Sequence, residues 1–150
     1  MSKIFFASDH AGFELKKVLV EYARSLGFDA IDKGNTTFEA LDDYPDFISL
    51  AAKEVSNDPY SKGVVIGGSG QGEAIVANRF PNVRAALWYG GNAEIIKLSR
   101  EHNDANVLSL GARFVNTEEA KEALKTWLDT PFSGDERHQR RIDKIENLNK

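Results

Sequence analysis

Short apolar runs alternate with stretches of helical spacing along the whole chain. Ile4 to Ala7 forms the first apolar run, and the apolar residues after it recur at helical spacing as far as Leu26, where Gly27 can end a helix. Further apolar runs lie at residues 28–31, 64–66, 85–88 and 107–110. Each is followed by a helical pattern, so the sequence predicts five strand–helix units.

Apolar strands separated by helices are typical of a parallel sheet that is covered on both faces. The expected architecture is therefore a single α/β domain over residues 1–150, a three-layer αβα Rossmann-like fold with a five-stranded parallel sheet. The last predicted helix, at about residues 135–149, has apolar residues only at Ile142, Ile145 and Leu148. That stripe is too thin for a core and is typical of a helix that packs on a partner subunit.

The composition narrows the possible functions. With 19 Lys and Arg against 23 Asp and Glu, the net charge of −4 gives no general attraction to nucleic acid or to an anionic membrane. The absence of cysteine excludes disulfides, thiolate metal sites and cysteine nucleophiles, and it fits a cytoplasmic location. No run approaches the roughly 18 apolar residues of a membrane span, and the start lacks signal-peptide features, so we expect a cytoplasmic protein.

The loop after the first predicted strand carries two groups that suit hydroxyl binding or acid–base chemistry. Asp9 supplies a carboxylate and His10 supplies an imidazole that titrates near neutral pH, and together they can bind hydroxyls or exchange protons. The structural alternative is that Ser8 or Asp9 only caps the following helix.

The segment from Gly67 to Glu73, after the third strand, has four glycines in its first six positions. Bare N–H groups at the start of a helix predict an anion site, although a tight turn would explain the glycines equally well. The segment lacks the ending of a Walker loop. Glu73 beside such a loop could remove a proton next to a developing oxyanion, or it could simply interact with the helix dipole.

Three further groups of residues could have a functional role, and the first two also have a purely structural explanation. His102 stands at the end of the fourth helix, where it could only complement the helix dipole. Arg137 and Arg141 would share a helix face and suit a phosphate dianion, or they could form a solvated basic end. Arg113, just beyond the fifth strand, is another candidate ligand for the same anion.

Taken together, these motifs resemble the type B ribose-5-phosphate isomerases. The resemblance covers essentially the whole chain in order, and it rests on residues 8–13, 67–73, 99–107, 110–113 and 137–141. It implies an aldose–ketose isomerase of carbohydrate metabolism and the pentose phosphate pathway, which interconverts D-ribose 5-phosphate and D-ribulose 5-phosphate through a cis-enediolate. It further implies that no metal or cofactor is required.

The resemblance also implies roles for individual residues. Glu73 would be the base, His102 would protonate the ring oxygen, and Ser69 would assist proton transfer between O1 and O2. The implied substrate-binding residues are Asp9, His10, Gly68, Ser69, Gly70, Gln71, Gly72, Asn103, Arg113, Arg137, His138 and Arg141.

One departure from the family pattern indicates which residue is the base. Many members carry a cysteine base at the first position of the glycine loop, where this chain has Gly67, and a second branch carries a glutamate at the loop's end, which Glu73 matches. The helix N-terminus should lower the pKa of Glu73 and burial should raise it. The sequence leaves open which effect is larger.

Two other functions are compatible with the same residues. A six-carbon substrate, allose 6-phosphate or galactose 6-phosphate, is used within the same superfamily. A non-catalytic sugar-phosphate-binding module on this fold is the alternative from another class. Retention of Glu73, Ser69 and His102 together speaks against a pure binder.

The expected topology separates two parts of the site. Asp9 and Glu73 follow strands one and three, whereas His102 and Asn103 precede strand five and should lie at the opposite end of the sheet. Strands of five or so residues separate these ends by about 17–20 Å. We therefore expect a homodimer, alone or within a tetramer, whose active sites are shared between subunits.

Overall fold

The computed structural model describes residues 2–148 and residue 150. In these residues the strands are β1 (Lys3–Ser8), β2 (Asp29–Asp32), β3 (Lys62–Gly67), β4 (Ala85–Trp88) and β5 (Val107–Gly111). The helices are α1 (Phe13–Ser25), α2 (Pro45–Asn57), α3 (Gln71–Ala77), α4 (Glu94–Glu101), α5 (Thr117–Asp129) and α6 (Glu136–Glu146), with a short 3-10 turn at His10–Gly12. The predicted strand–helix alternation is confirmed.

All pairings among the described strands are parallel, and their order is β2-β1-β3-β5-β4. Two apolar clusters cover the two faces of this sheet. One contains residues of α1, α4 and α5, among them Leu19, Ile96 and Trp127. The other contains residues of α2 and α3, among them Ile48 and Ala77. The predicted three-layer αβα architecture is therefore confirmed.

Local signals set several helix ends. Gly27 has a φ of 94° just beyond α1, which is the left-handed conformation that favours glycine after a helix. Asn116 and Glu119 form a reciprocal capping box at the start of α5. Among the described residues, no helix combines the length and the apolar character that crossing a membrane requires.

The C-terminal helix differs in part from its prediction. It ends at Glu146, and residue 149, the predicted end, lies outside the described residues. Ile142 is buried within its own chain but belongs to neither of the two apolar clusters, and packing of the helix on a partner subunit stays a prediction. His138, one turn earlier, is buried on the same face and widens the covered stripe, whereas Ile145 and Leu148 remain exposed.

Candidate active site

The candidate site lies at the carboxyl ends of β1 and β3. These neighbouring strands form the point where the order of the sheet reverses, because β2 lies on one side of β1 and β3, β5 and β4 lie on the other. Ligands of open α/β sheets bind at such a switch point. Asp9 and His10 follow β1 directly and the glycine loop follows β3, so the structure brings the two predicted loops to one edge.

The first two carbonyls of the glycine loop are hydrogen-bonded to the segment that follows β5. The carbonyls of Gly67 and Gly68 accept hydrogen bonds from the N–H groups of Ala112 and Arg113, at 2.8 and 3.0 Å. A peptide's N–H points away from its C=O, so the N–H groups of Gly68 and Ser69 face away from these partners. Gly70 has a φ of 81°, and a Cβ there would lie 2.7 Å from Leu87 Cδ1. Glycine is therefore required to present this cradle for an anion.

Glu73 lies in the first turn of α3 with its side chain buried against the loop. A Cβ at position 67 would overlap its carboxylate, so the carboxylate occupies the space that a side chain at Gly67 would need. Burial raises the pKa of Glu73, and the charge of Asp9 adds to this rise. Backbone N–H groups of Glu73 and Gly70 lower the pKa, but burial is the larger effect. A buried carboxylate with a raised pKa is a stronger base than an exposed one.

His10 is hydrogen-bonded to a residue that the sequence motifs do not include, whereas Asp9 bonds to the backbone of its own turn. Asp9 accepts a hydrogen bond from the N–H of Ala11 at 3.0 Å, so it caps the short 3-10 turn, whereas the N-cap of α1 itself is Gly12. The ring Nδ1 of His10 lies 2.7 Å from Asp42 Oδ1, and the His10 N–H donates to the same oxygen at 3.1 Å. These contacts fix the imidazole and leave its Nε2 for a substrate oxygen.

The partners of Asp42 stabilise its ionised form. Burial alone would raise its pKa, but hydrogen bonds from the ring and the backbone N–H of His10 and from Asn35 hold the pKa of Asp42 below its ordinary value. The carboxylate thus orients His10 in the manner of the acid that orients a catalytic histidine.

The same three side chains are the candidate metal ligands among the described residues. Asp9, His10 and Asp42 each offer one ligand atom, and these atoms lie within 4.8 Å of one another. His10 Nδ1 is already hydrogen-bonded to Asp42, so the imidazole and this carboxylate have a partner in each other without a metal ion. The expectation of a metal-independent protein stays a prediction, to be tested by chelation.

Two more side chains contact the glycine loop. A Cβ at Gly68 would lie 3.0 Å from a guanidinium nitrogen of Arg113, so this predicted anion ligand belongs to the same edge as Glu73. A Cβ at Gly72 would lie 2.5 Å from the hydroxyl oxygen of Tyr44. Sequence reasoning missed Tyr44, since an aromatic residue before Pro45 carries no motif of its own. Gln71 begins α3, is exposed, and its N–H reaches Ser69 Oγ only at 3.4 Å.

The remaining predicted site residues lie in a different part of the chain. His102 caps the carboxyl end of α4, and its ring stacks on that of His138 in the first turn of α6, with centroids 4.2 Å apart. Arg137 and Arg141 lie on the same helix with exposed side chains. The backbone carbonyl of Asn103 accepts from Arg84, which precedes β4. His102 and Asn103 precede β5, and the Arg84 that contacts Asn103 precedes β4, so this group lies at the amino ends of these strands. We name His102, Asn103, Arg137, His138 and Arg141 the histidine corner.

Comparison with known proteins decides the family. A sequence model of the ribose/galactose isomerase family matches residues 4–145. The chain belongs to this family. It is 41% identical over 141 residues to the ribose-5-phosphate isomerase B of Mycobacterium tuberculosis, an alignment that covers 94% of this chain and 86% of that protein. It is 39% identical over 145 residues to the Escherichia coli enzyme of the same name, with 97% and 95% covered.

Solved structures of ribose/galactose isomerases agree with the fold. The chain superposes on the ribose-5-phosphate isomerase B of Mycoplasma genitalium, solved with bound ribulose-5-phosphate, with a TM-score of 0.93 at 41% identity and coverage of 98% and 95%. The type B enzyme of Trypanosoma cruzi gives a TM-score of 0.92 at 40% identity, with 99% and 97% covered. The resemblance to the type B enzymes is therefore confirmed over the length of the chain.

Proposed function

We propose that this chain is an aldose–ketose isomerase that interconverts D-ribose 5-phosphate and D-ribulose 5-phosphate with Glu73 as its base. The observation that carries the assignment of the base is the buried Glu73 carboxylate beside Gly67, with a raised pKa, at the switch point of the sheet. The names of the relatives support the substrate, and so does the ribulose-5-phosphate held by the Mycoplasma genitalium structure.

The reaction begins by opening the furanose. His102 donates a proton to the ring oxygen as the bond from C1 to that oxygen breaks, and O1 releases its proton to solvent to leave the aldehyde. Asp9 and His10 hold sugar oxygens while this occurs. The bond between His10 and Asp42 supports this role, because it fixes the ring that contacts the sugar.

Isomerisation then moves one proton between adjacent carbons. Glu73 removes the proton from C2 and returns it to C1, while Ser69 assists proton transfer between O1 and O2. The N–H groups of residues 68 to 72 stabilise the negative charge of the cis-enediolate. A positioned base is worth about 10²–10⁴ in rate and each donor to the oxyanion roughly 10²–10³.

Three arginines hold the phosphate in this proposal. Arg113 reaches the glycine loop of its own chain, and Arg137 and Arg141 project from α6 one turn apart. Guanidinium groups bind phosphate through two parallel hydrogen bonds, which gives both affinity and orientation.

The site requires two copies of the chain. Glu73 and Arg113 lie at one end of the sheet and the histidine corner lies at the other, roughly 17–20 Å away for strands of this length. His102, Asn103, Arg137 and Arg141 therefore come from the second subunit of a homodimer. This dimer could itself assemble into a tetramer.

A second copy also accounts for an apolar groove beside the glycine loop. The groove has a volume of about 430 Å³ and is lined by residues of α3 and β4, including Gln71, Ala74, Ile75 and Leu87. Ile75 is 61% exposed in the single chain. Because the adjoining site is incomplete without a partner, we assign this surface to the dimer interface.

The deciding experiment is an isomerisation assay with ribose 5-phosphate and with allose 6-phosphate, in the presence of EDTA. We expect turnover of ribose 5-phosphate under chelation, since no step above uses a metal. The six-carbon alternative is not favoured by the relatives' names, and it would be chosen only if allose 6-phosphate were the better substrate. A non-catalytic binding module would turn over neither. Cytoplasmic residence is part of the same proposal.

A further inference from the structure

His102 and His138 form a stacked pair at the histidine corner. Their ring centroids are 4.2 Å apart and their planes are inclined by 20°. His138 is only 6% exposed, and His102 is half-buried. The ring of His138 therefore covers one face of His102, whereas Arg137 and Arg141 on the same helix are exposed.

The chain on the His102 side of this stack is firmly held. Arg100 is buried, and its guanidinium donates to Asp104 Oδ1 and to the carbonyl of Ala105, both at 2.7 Å. It also donates to the carbonyl of Thr130 at 3.0 Å, which ties the end of α4 to the segment that leads to α6. The backbone around His102 is thus fixed, but these bonds leave its side-chain torsions free.

The helix that carries His138 is fixed to the same corner at both ends. Before α6, the N–H of Ser133 donates to the carbonyl of Glu101 at 3.3 Å. Near its end, Glu146 pairs with Arg84 at 2.7 Å and accepts from the N–H of Asn82 at 3.1 Å. Ile142 is buried between these points. The helix that carries His138 is therefore held in place, and the His138 ring gives His102 a fixed surface to pack against.

The surroundings of His138 favour its neutral form. Burial lowers the pKa of His138, and the neighbouring His102 lowers it further. A neutral His138 presents an uncharged aromatic face to His102, which suits the nearly parallel stack of the two rings.

We infer that His138 is a positioning residue: its buried ring holds the His102 imidazole in the orientation from which it protonates the ring oxygen. This inference rests on the proposed function. It assigns His138 a role different from the direct substrate contact that the family resemblance implied. Misplacing a catalytic group by about 1 Å can cost 10²-fold in rate, so removal of the His138 ring should lower the rate measurably.

The chemistry of the product gives a test specific to ring opening. Ribulose 5-phosphate cannot close a five-membered ring because its C5 oxygen carries the phosphate. In D₂O, exchange of its C1 proton therefore reports the Glu73 step without any ring step. Conversion of ribose 5-phosphate needs both steps.

We expect His138→Ala to lower kcat for ribose 5-phosphate at least about tenfold, with C1 exchange of ribulose 5-phosphate within about twofold of wild type. Inhibition by inorganic phosphate should also change less than about twofold, which separates positioning from phosphate binding. Gln139→Ala, an exposed change on the same helix, serves as the control. Equal loss of conversion and exchange, or weakened phosphate inhibition, would overturn the inference.

A second variant keeps the test decisive if His138→Ala disturbs α6. His138→Phe keeps a flat ring against His102 but removes both nitrogens, so we expect it to restore most of the conversion lost in the alanine variant. A phenylalanine variant as slow as the alanine variant would overturn the positioning role. Absence of both conversion and exchange in the wild type would instead contradict the proposed function itself.

Discussion

Glu73 shows how burial prepares a side chain for proton abstraction. Its carboxylate is buried beside Gly67, and burial weakens the stabilisation of its charge by solvent. The N–H groups at the start of α3 offset only part of this cost, so the pKa stays above the ordinary glutamate value. A general base is most effective when its pKa lies close to the pH at which the enzyme works, and a rise in the pKa of a glutamate is a change in that direction.

The kinetic consequence is tested by Glu73→Gln. The substitution keeps the size of the side chain but removes the base, so kcat should fall by at least about 10² while KM changes little. Steady-state kinetics with ribose 5-phosphate measure both constants. A variant with nearly normal kcat would exclude Glu73 as the base.

The same substitution has an opposite effect on stability. Because the folded-state pKa of Glu73 is raised, the ionised carboxylate destabilises the folded protein above that pKa, and the penalty disappears below the unfolded-state pKa. Glu73→Gln should therefore raise Tm at about pH 8, by about 2–4 °C per kcal/mol relieved, and have little effect near pH 4. Thermal melts at both pH values measure this, and a rise of equal size at both would show that the buried charge is not what destabilises the folded protein.

At the scale of elements, α6 presents two faces with different tasks. His138 and Ile142 are buried against the chain, while Arg137 and Arg141 point to solvent in the single subunit. Packing thus fixes the helix, and the fixed helix spaces the two guanidinium groups one turn apart.

Arg137→Ala tests the exposed face. If Arg137 binds the phosphate, the substitution should weaken binding of ribose 5-phosphate by roughly 1.5–3 kcal/mol and leave unphosphorylated ribose nearly unaffected. KM and inhibition constants for the two sugars give the comparison. Arg140→Ala, on the same helix, controls for the loss of charge alone, and equal effects on both sugars would place Arg137 away from the phosphate.

Elements with a strong apolar period were predictable, and contacts between distant loops were not. The five strands and the helices that follow them were predicted from apolar residues at strand or helix spacing, whereas α6 had only a thin apolar stripe. Asp42 and Tyr44 lie in the segment between β2 and α2, where the apolar residues follow no helix or strand spacing. Only the folded chain brings these two residues next to the site. His10 and Asp42 are 32 positions apart, so no local pattern could pair them. The stack of His102 on His138 was missed for the same reason.

At the scale of the whole molecule, the proposed dimer makes each active site depend on two chains. Co-refolding Glu73→Gln with His102→Ala should restore activity, because a mixed dimer contains one site with both residues intact. Random pairing gives half mixed dimers, each with one intact site of two, so about one quarter of wild-type activity is expected.

A matched pair provides the control for this experiment. Asp9 and Glu73 lie at the same edge of one chain, so co-refolding Asp9→Asn with Glu73→Gln leaves every site with one defect. We expect no recovery in that mixture. Equal recovery in both mixtures, or none in verified mixed dimers of the first pair, would contradict the shared site.

The overlap between Gly67 and Glu73 also makes these two positions depend on each other in evolution. A side chain at position 67, such as the cysteine that the family resemblance implies for other members, would need the space that the Glu73 carboxylate occupies. The end of the glutamate side chain would then have to move from its buried position beside the loop. Substitutions at positions 67 and 73 should therefore have coupled effects and not independent ones.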